Sequence, residues 1–134
     1  MSKIKVGISI GDLNGIGLEI IIKTFKDSRM MDFCTPIVFG STKVASVHRK
    51  AIEMQDFNFN PINNIKDANP KKANLLNIWD EDIKLTLGES SIKSGELSFE
   101  SIKKASKALK NNEIDVLVTA PINKASIQQK ISNF

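Results

Sequence analysis

The chain has 134 residues, 41% of them hydrophobic and 25% charged, with one cysteine. That composition is globular and excludes a disordered chain, a collagen-like repeat and a disulfide scaffold. The net charge of +4 is spread, with nine basic and seven acidic residues in 1–67 and ten and eight in 68–134, and only Arg29 and Arg49 are arginines. This argues against nucleic acid as a partner, because such binders concentrate basic residues, arginine above all, on one face.

No run of 18 apolar residues is present, so no membrane span is expected. The start, Met-Ser-Lys-Ile-Lys-Val, lacks the apolar stretch of a signal peptide. The lone Cys34 allows no intrachain disulfide, and a reducing, cytoplasmic location follows as the expectation.

In chain order, residues 4–10 alternate and are β-branched, which reads as a strand. Gly11 to Gly17 break it. Leu18–Phe25 then reads as a deeply packed helix, since a Gly-rich turn precedes it and Lys23, Lys26, Asp27 and Ser28 follow its apolar run. Pro36–Phe39 reads as a short buried strand ended by Gly40. Ser41 is placed to cap a helix from Thr42 to about Met54, with Val44, Val47 and Ala51 inward. Strand, helix, strand, helix implies a parallel sheet covered by helices.

Between Asp56 and Lys72 the chain turns rich in asparagine and carries Pro61 and Pro70. It reads as loop or edge material anchored by Phe57, Phe59, Ile62 and Ile65. A strand is expected at Leu75–Trp79, and an extended stretch through Ile83, Leu85 and Leu87. A helix from about Gly95 to Lys110 follows, with Phe99, Ile102, Ala105, Ala108 and Leu109 on its apolar side. Ile114–Thr119 is the strongest strand signal, an apolar run of the kind covered on both sides. A last helix begins after Pro121.

Two turns could carry chemistry. The first is Gly11-Asp12-Leu13-Asn14-Gly15-Ile16-Gly17, between a strand and a helix. Glycines allow close approach to the backbone, and the helix start offers unpaired N–H groups. The spacing is neither GxGxxG nor a P-loop, and a plain strand-to-helix turn is an equal reading. The second is Thr119-Ala120-Pro121-Ile122-Asn123-Lys124, where a hydroxyl, an amide and an ammonium gather at a strand end. A lysine at a helix start opposes the helix dipole, which favours an anionic ligand over a solvated side chain.

The remaining candidates read as structural. His48 is a solvated helix residue, Cys34 a small hydrophobe and Trp79 a strand-end packer. The pairs Lys71-Lys72 and Lys103-Lys104 read as solvated, and Asp80-Glu81-Asp82 as a surface loop.

Together the Gly11-Asp12-(x)2-Gly15-Ile16-Gly17-x-Glu19 element, Ser94-Gly95-Glu96 and Asp115–Lys124 resemble the 4-hydroxythreonine-4-phosphate dehydrogenase family of vitamin B6 synthesis, in order from Val6 to the end of the chain. The resemblance implies a three-layer α/β/α fold with a mostly parallel sheet, the N-terminal part of an isocitrate/isopropylmalate dehydrogenase-like fold. Residues 1–134 would form the N-terminal α/β portion of a larger two-domain enzyme. The resemblance also implies NAD or NADP against Asp12, Asn14, Gly15, Ile16 and Gly17, and a small phosphorylated substrate in a cleft faced by Thr119, Asn123 and Lys124. Family members are homodimers that need a divalent metal (Zn, Mg or Co). They oxidise the secondary alcohol of 4-phosphooxy-threonine to a 3-oxo acid, which loses carbon dioxide.

Family chains are more than twice as long, and their Gly-His-Thr-Glu element and metal-ligand histidines match nothing here; His48 fits none of them. No metal ligand is therefore expected in this chain, and alone it is expected not to catalyse the reaction. Exposed apolar surface or strand edges around Val116–Val118, with association, are expected as well. Three alternatives stay open: a dehydrogenase of phosphorylated threonate or erythronate, a phosphate acyltransferase-like enzyme, and a non-catalytic module.

Overall fold

Side chains of successive strand residues point to opposite faces of a sheet, so two apolar sets on alternate residues require two covering layers. The computed structural model describes residues 3–11, 17–51, 53, 57–78 and 92–120. Its strands are β1 (Ile4–Ser9), β2 (Cys34–Gly40), β3 (Asn60–Ile62), β4 (Asn74–Asn77) and β5 (Val116–Thr119). Its α-helices are α1 (Gly17–Phe25), α2 (Thr42–Ala51) and α3 (Ile92–Lys110). The strands form one sheet, all pairs parallel, in the order β3-β4-β2-β1-β5.

One apolar set comprises Ile8 of β1 and Ile10 just after it, Val38 of β2 and Leu75 of β4, packed on Leu18, Ile21, Ile22 and Phe25 of α1 and on Val44 and Ala45 of α2. The other comprises Ile37 and Phe39 of β2 and Ile62 of β3, with Leu76 and Leu117 partly buried beside them, packed on Ala105 and Ala108 of α3. The result is a three-layer α/β/α arrangement around a parallel sheet, with α1 and α2 on one face and α3 on the other.

Gly7 shows how closely the α3 face is packed. A Cβ there would overlap Ile114 Cδ1 and lie 3.1 Å from Phe39 Cε2. At the far edge Asn74, fully buried, holds β3 and its return loop. Its Nδ2 donates to the carbonyls of Pro36, Asn69 and Lys72, and its Oδ1 accepts from Asn60 Nδ2 and the Asn69 amide.

The asparagine-rich stretch, read as loop or edge material, holds an edge strand, Asn60–Ile62, and a 3₁₀ turn, Ile65–Asp67. Other expectations need correction. The Leu75–Trp79 strand is Asn74–Asn77. The third helix starts at Ile92, three residues earlier than Gly95, and its inward face is Leu97, Ser98, Ser101, Ala105 and Ala108. Leu109 is exposed and Phe99 and Ile102 only half-buried. Apolar count misplaced that face because two of the residues that pack inward are serines.

The strongest strand signal, expected to be covered on both sides, is the edge strand β5 among the described residues. Val116 and Val118 there are 45% and 48% exposed, as the expectation of exposed apolar surface had it. The second helix is described to Ala51, with Val44 inward as expected; the side chains of Val47, His48 and Ala51 lie outside the described residues, as do Trp79, residues 80–91 and the helix expected after Pro121.

Candidate functional site

From β1 the chain passes to β2, then to the edge strand β3 and back to β4 between β3 and β2, before α3 returns it to the other side of β1 as β5. The order therefore reverses at β1, whose carboxyl end lies beside that of β5. Open α/β sheets bind ligands in the crevice outside such carboxyl ends. Ser9 of β1 pairs with Thr119 of β5, and the Ala120 amide extends the ladder by donating to the Ser9 carbonyl at 3.1 Å.

Beyond Ser9 the backbone of β1 leaves the sheet, and its polar groups need new partners because buried amides and carbonyls are costly to leave unpaired. Two buried serines of α3 supply them. Ser101 Oγ accepts the Ile10 amide at 3.1 Å and donates to the Phe39 carbonyl at 2.7 Å, joining the ends of β1 and β2. Ser98 Oγ donates to the Gly11 carbonyl. Gly11 has φ 72°, a left-handed conformation that L side chains resist, so glycine is what lets the chain bend there. Ser9 Oγ, fully buried at the end of β1, bonds nothing among the described residues.

Of the sequence-derived cofactor residues, Gly17 is buried and opens α1, whose first N–H groups lack intrahelical partners. Asp12, Asn14, Gly15 and Ile16 lie outside the described residues, as do Asn123 and Lys124. Thr119 is exposed at the tip of β5, level with Ser9. Gly11 and Ala120, the described ends of the two turns, thus follow paired strand ends on one edge of the sheet. Ser98 and Ser101 escaped the sequence reading; the signal was two serines three apart on an otherwise apolar helix face.

The described residues contain no group of three histidine, cysteine or carboxylate side chains able to hold a metal ion. They do not fit a divalent metal site, and no step is derived through one. A left-handed Gly11 after β1 and the start of α1 are backbone features that suit the phosphate-bearing part of a nucleotide. No helix among the described residues is long and apolar enough to cross a membrane.

The shifted titrations lie elsewhere. Arg29 clamps Asp27 through its side chain and backbone, and the Asp27 carboxyl falls from 3.8 to about 2. Partial burial raises the Cys34 thiol above its ordinary value, and its Sγ donates to the Met30 carbonyl. A cavity of about 480 Å³ lined by Lys5, Asn64, Lys66 and Asn112, among others, lies toward the amino ends of β1 and β5, away from the tips.

The family model for pyridoxal phosphate biosynthetic protein PdxA matches residues 32–134. The chain is 39% identical over 133 residues to a 4-hydroxythreonine-4-phosphate dehydrogenase of Bacteroides thetaiotaomicron, covering 99% of this chain and 36% of that protein. It is 35% identical over 136 residues to a Clostridium botulinum protein provisionally named a D-threonate 4-phosphate dehydrogenase, covering 96% and 39%. The crystal structure of a 4-hydroxythreonine-4-phosphate dehydrogenase from Burkholderia phymatum superposes with a TM-score of 0.85 at 22% identity, covering 96% of this chain and 39% of that one, a likeness of fold. The chain spans about two-fifths of the length of the curated relatives it matches.

Proposed function

The chain belongs to the pyridoxal phosphate biosynthetic protein PdxA family, and from that premise we propose that it serves an NAD(P)-dependent dehydrogenase acting on the secondary alcohol of a small 4-phosphorylated acid. The observation that supports this reading is the reversal of strand order at β1, with the ends of β1 and β5 paired at Ser9 and Thr119. The bound nicotinamide would supply the hydride acceptor.

This chain's own residues would do the rest. Gly11 turns the backbone away from the sheet, and Ser98 fixes that turn by holding the Gly11 carbonyl. Asp12, Asn14, Gly15, Ile16 and Gly17 take the cofactor. The α1 start offers N–H groups and a partial positive charge to its phosphates. Thr119, Asn123 and Lys124 take the substrate, the lysine ammonium meeting its phosphate or carboxylate. Turns that leave adjacent strand ends would hold the two ligands close to each other, which is what hydride transfer needs.

The relatives' names favour 4-phosphooxy-threonine, with 4-phospho-threonate as the second reading; the two differ in the amino or hydroxyl group beside the carboxylate. The family assembles as a homodimer around a divalent metal in this reading, with metal ligands other than the described residues.

Equilibrium titration tests the division of labour. Lys124→Ala is expected to weaken 4-phosphooxy-threonine binding at least about tenfold, as loss of a charge-assisted contact does, with NAD affinity unchanged. Asp12→Ala is expected to do the reverse. Wild-type affinities for both ligands in both variants would refute the assignment.

A further inference from the structure

Away from the tips, a cavity of about 200 Å³ lies between α2 and the β3–β4 edge of the sheet. Thr42, Ser46 and Arg49 line it from one stripe of α2, at the four- and three-residue steps that put side chains on one helix face. Asn58, Phe59 and Pro61 line the opposite side. Among the described residues the polar wall therefore holds two hydroxyls, an amide and a guanidinium, and no carboxylate.

Arg49 is half used. Its Nη1 donates to the Phe57 carbonyl at 2.8 Å and to Asn58 Oδ1, which fixes the guanidinium plane against the loop. Its Nε is shielded from solvent and has no hydrogen-bond partner among the described residues. No aspartate or glutamate among the described residues pairs with it. Arg29, the other arginine, is bound by Asp27 through both Nε and Nη2. A guanidinium held by two neutral oxygens, with an unpaired N–H out of contact with water, is costly unless an acceptor reaches it. Bracing the loop explains Nη1 and leaves Nε unexplained.

We propose that this cavity is a binding site for a small oxyanion, a phosphate or carboxylate group, anchored by Arg49 with Thr42, Ser46 and Asn58 as further partners. The planar fork of arginine suits two oxygens of one such group, and the apolar wall at Phe59 and Pro61 accommodates a short carbon chain attached to it. The site is separate from the tips of β1 and β5, and the proposal does not depend on the function proposed there.

With two arginines in the chain, the side-chain Nε–H signals in a ¹H–¹⁵N spectrum number two, and Arg29 is an internal control. Inorganic phosphate and propionate are titrated separately at constant ionic strength. A saturable shift of the Arg49 signal and of the Phe57–Asn60 amides, with Arg29 unmoved, is the expected result. Phosphate alone acting identifies the group as a phosphate, propionate alone as a carboxylate, and either supports the site. Ser46→Ala is expected to weaken the affinity about 2- to 10-fold, as loss of one hydrogen bond does, and Arg49→Lys at least about tenfold. A linear or absent response in the wild-type protein, an equal response of both arginines, or undiminished affinity in the folded Ser46→Ala and Arg49→Lys variants would overturn it.

Discussion

Single residues fix the strand ends. Ser101 joins two strands through one hydroxyl, so Ser101→Ala strands the Ile10 amide and the Phe39 carbonyl together. Leaving buried groups unpaired costs about 1–3 kcal/mol each, so a loss of at least about 2 kcal/mol in urea unfolding is expected, with faster exchange of the Ile10 amide. A loss below about 0.5 kcal/mol would contradict the role given to that hydroxyl. At Asp27 the Arg29 clamp lowers the folded pKa from 3.8 to about 2. The contribution of the clamp is therefore complete above about 3.8 and disappears as pH falls through about 2. The pair is exposed and screened, so the readout is the titration itself: the Asp27 midpoint is expected to return toward 3.8 in Arg29→Ala. Cys34 is held as a thiol, and alkylation at pH 8 is expected to be slower than for a free thiol; an equal rate would contradict the burial given to it.

Secondary-structure elements take their places from which faces are buried, and here the sequence was legible in kind more than in position. The β-branched run of β1 and the apolar helix α1 were readable because periodicity and breakers agreed. Strand β3 was hidden because Asn60-Pro61-Ile62 carries weak strand propensity; Asn74, through five side-chain hydrogen bonds, pins it instead. The face of α3 was misjudged because Ser98 and Ser101 bury polar atoms that bond backbone. Position in the sheet was the hardest to read. Val38 and Val118 look alike in sequence, yet Val38 is fully buried and Val118 is 48% exposed. Threonine at position 38 would bury a hydroxyl and is expected to cost about 1–3 kcal/mol, while threonine at 118 is expected to fall within about 0.5 kcal/mol of wild type. Equal costs would mean that the strand order is wrong. Gly7→Ala is expected to cost about 1–3 kcal/mol, because Ile114 and Phe39 leave no room for a Cβ.

For the whole molecule, strand order gives the turns their meaning. A Gly-rich turn and a Thr119–Lys124 turn are separated by about a hundred positions in sequence, and neither motif alone says that they meet. Parallel pairing of β1 with β5, with β2 on the other flank of β1, brings the ends of the two strands side by side and makes that edge the reversal point. A single sequence carries no such pairing information, so the nearness of the two strand ends had to come from resemblance until the sheet was in view. A metal was expected only as an implication of the resemblance, and the described residues offer no donor set for one. Hydrogen–deuterium exchange of the chain with and without NAD tests the central claim most directly. Protection confined to Gly11–Gly17, with a smaller effect at Thr119–Lys124, is the result the account predicts. Protection instead around Asn64–Asp67 and Asn112, at the cavity away from the tips, would contradict it.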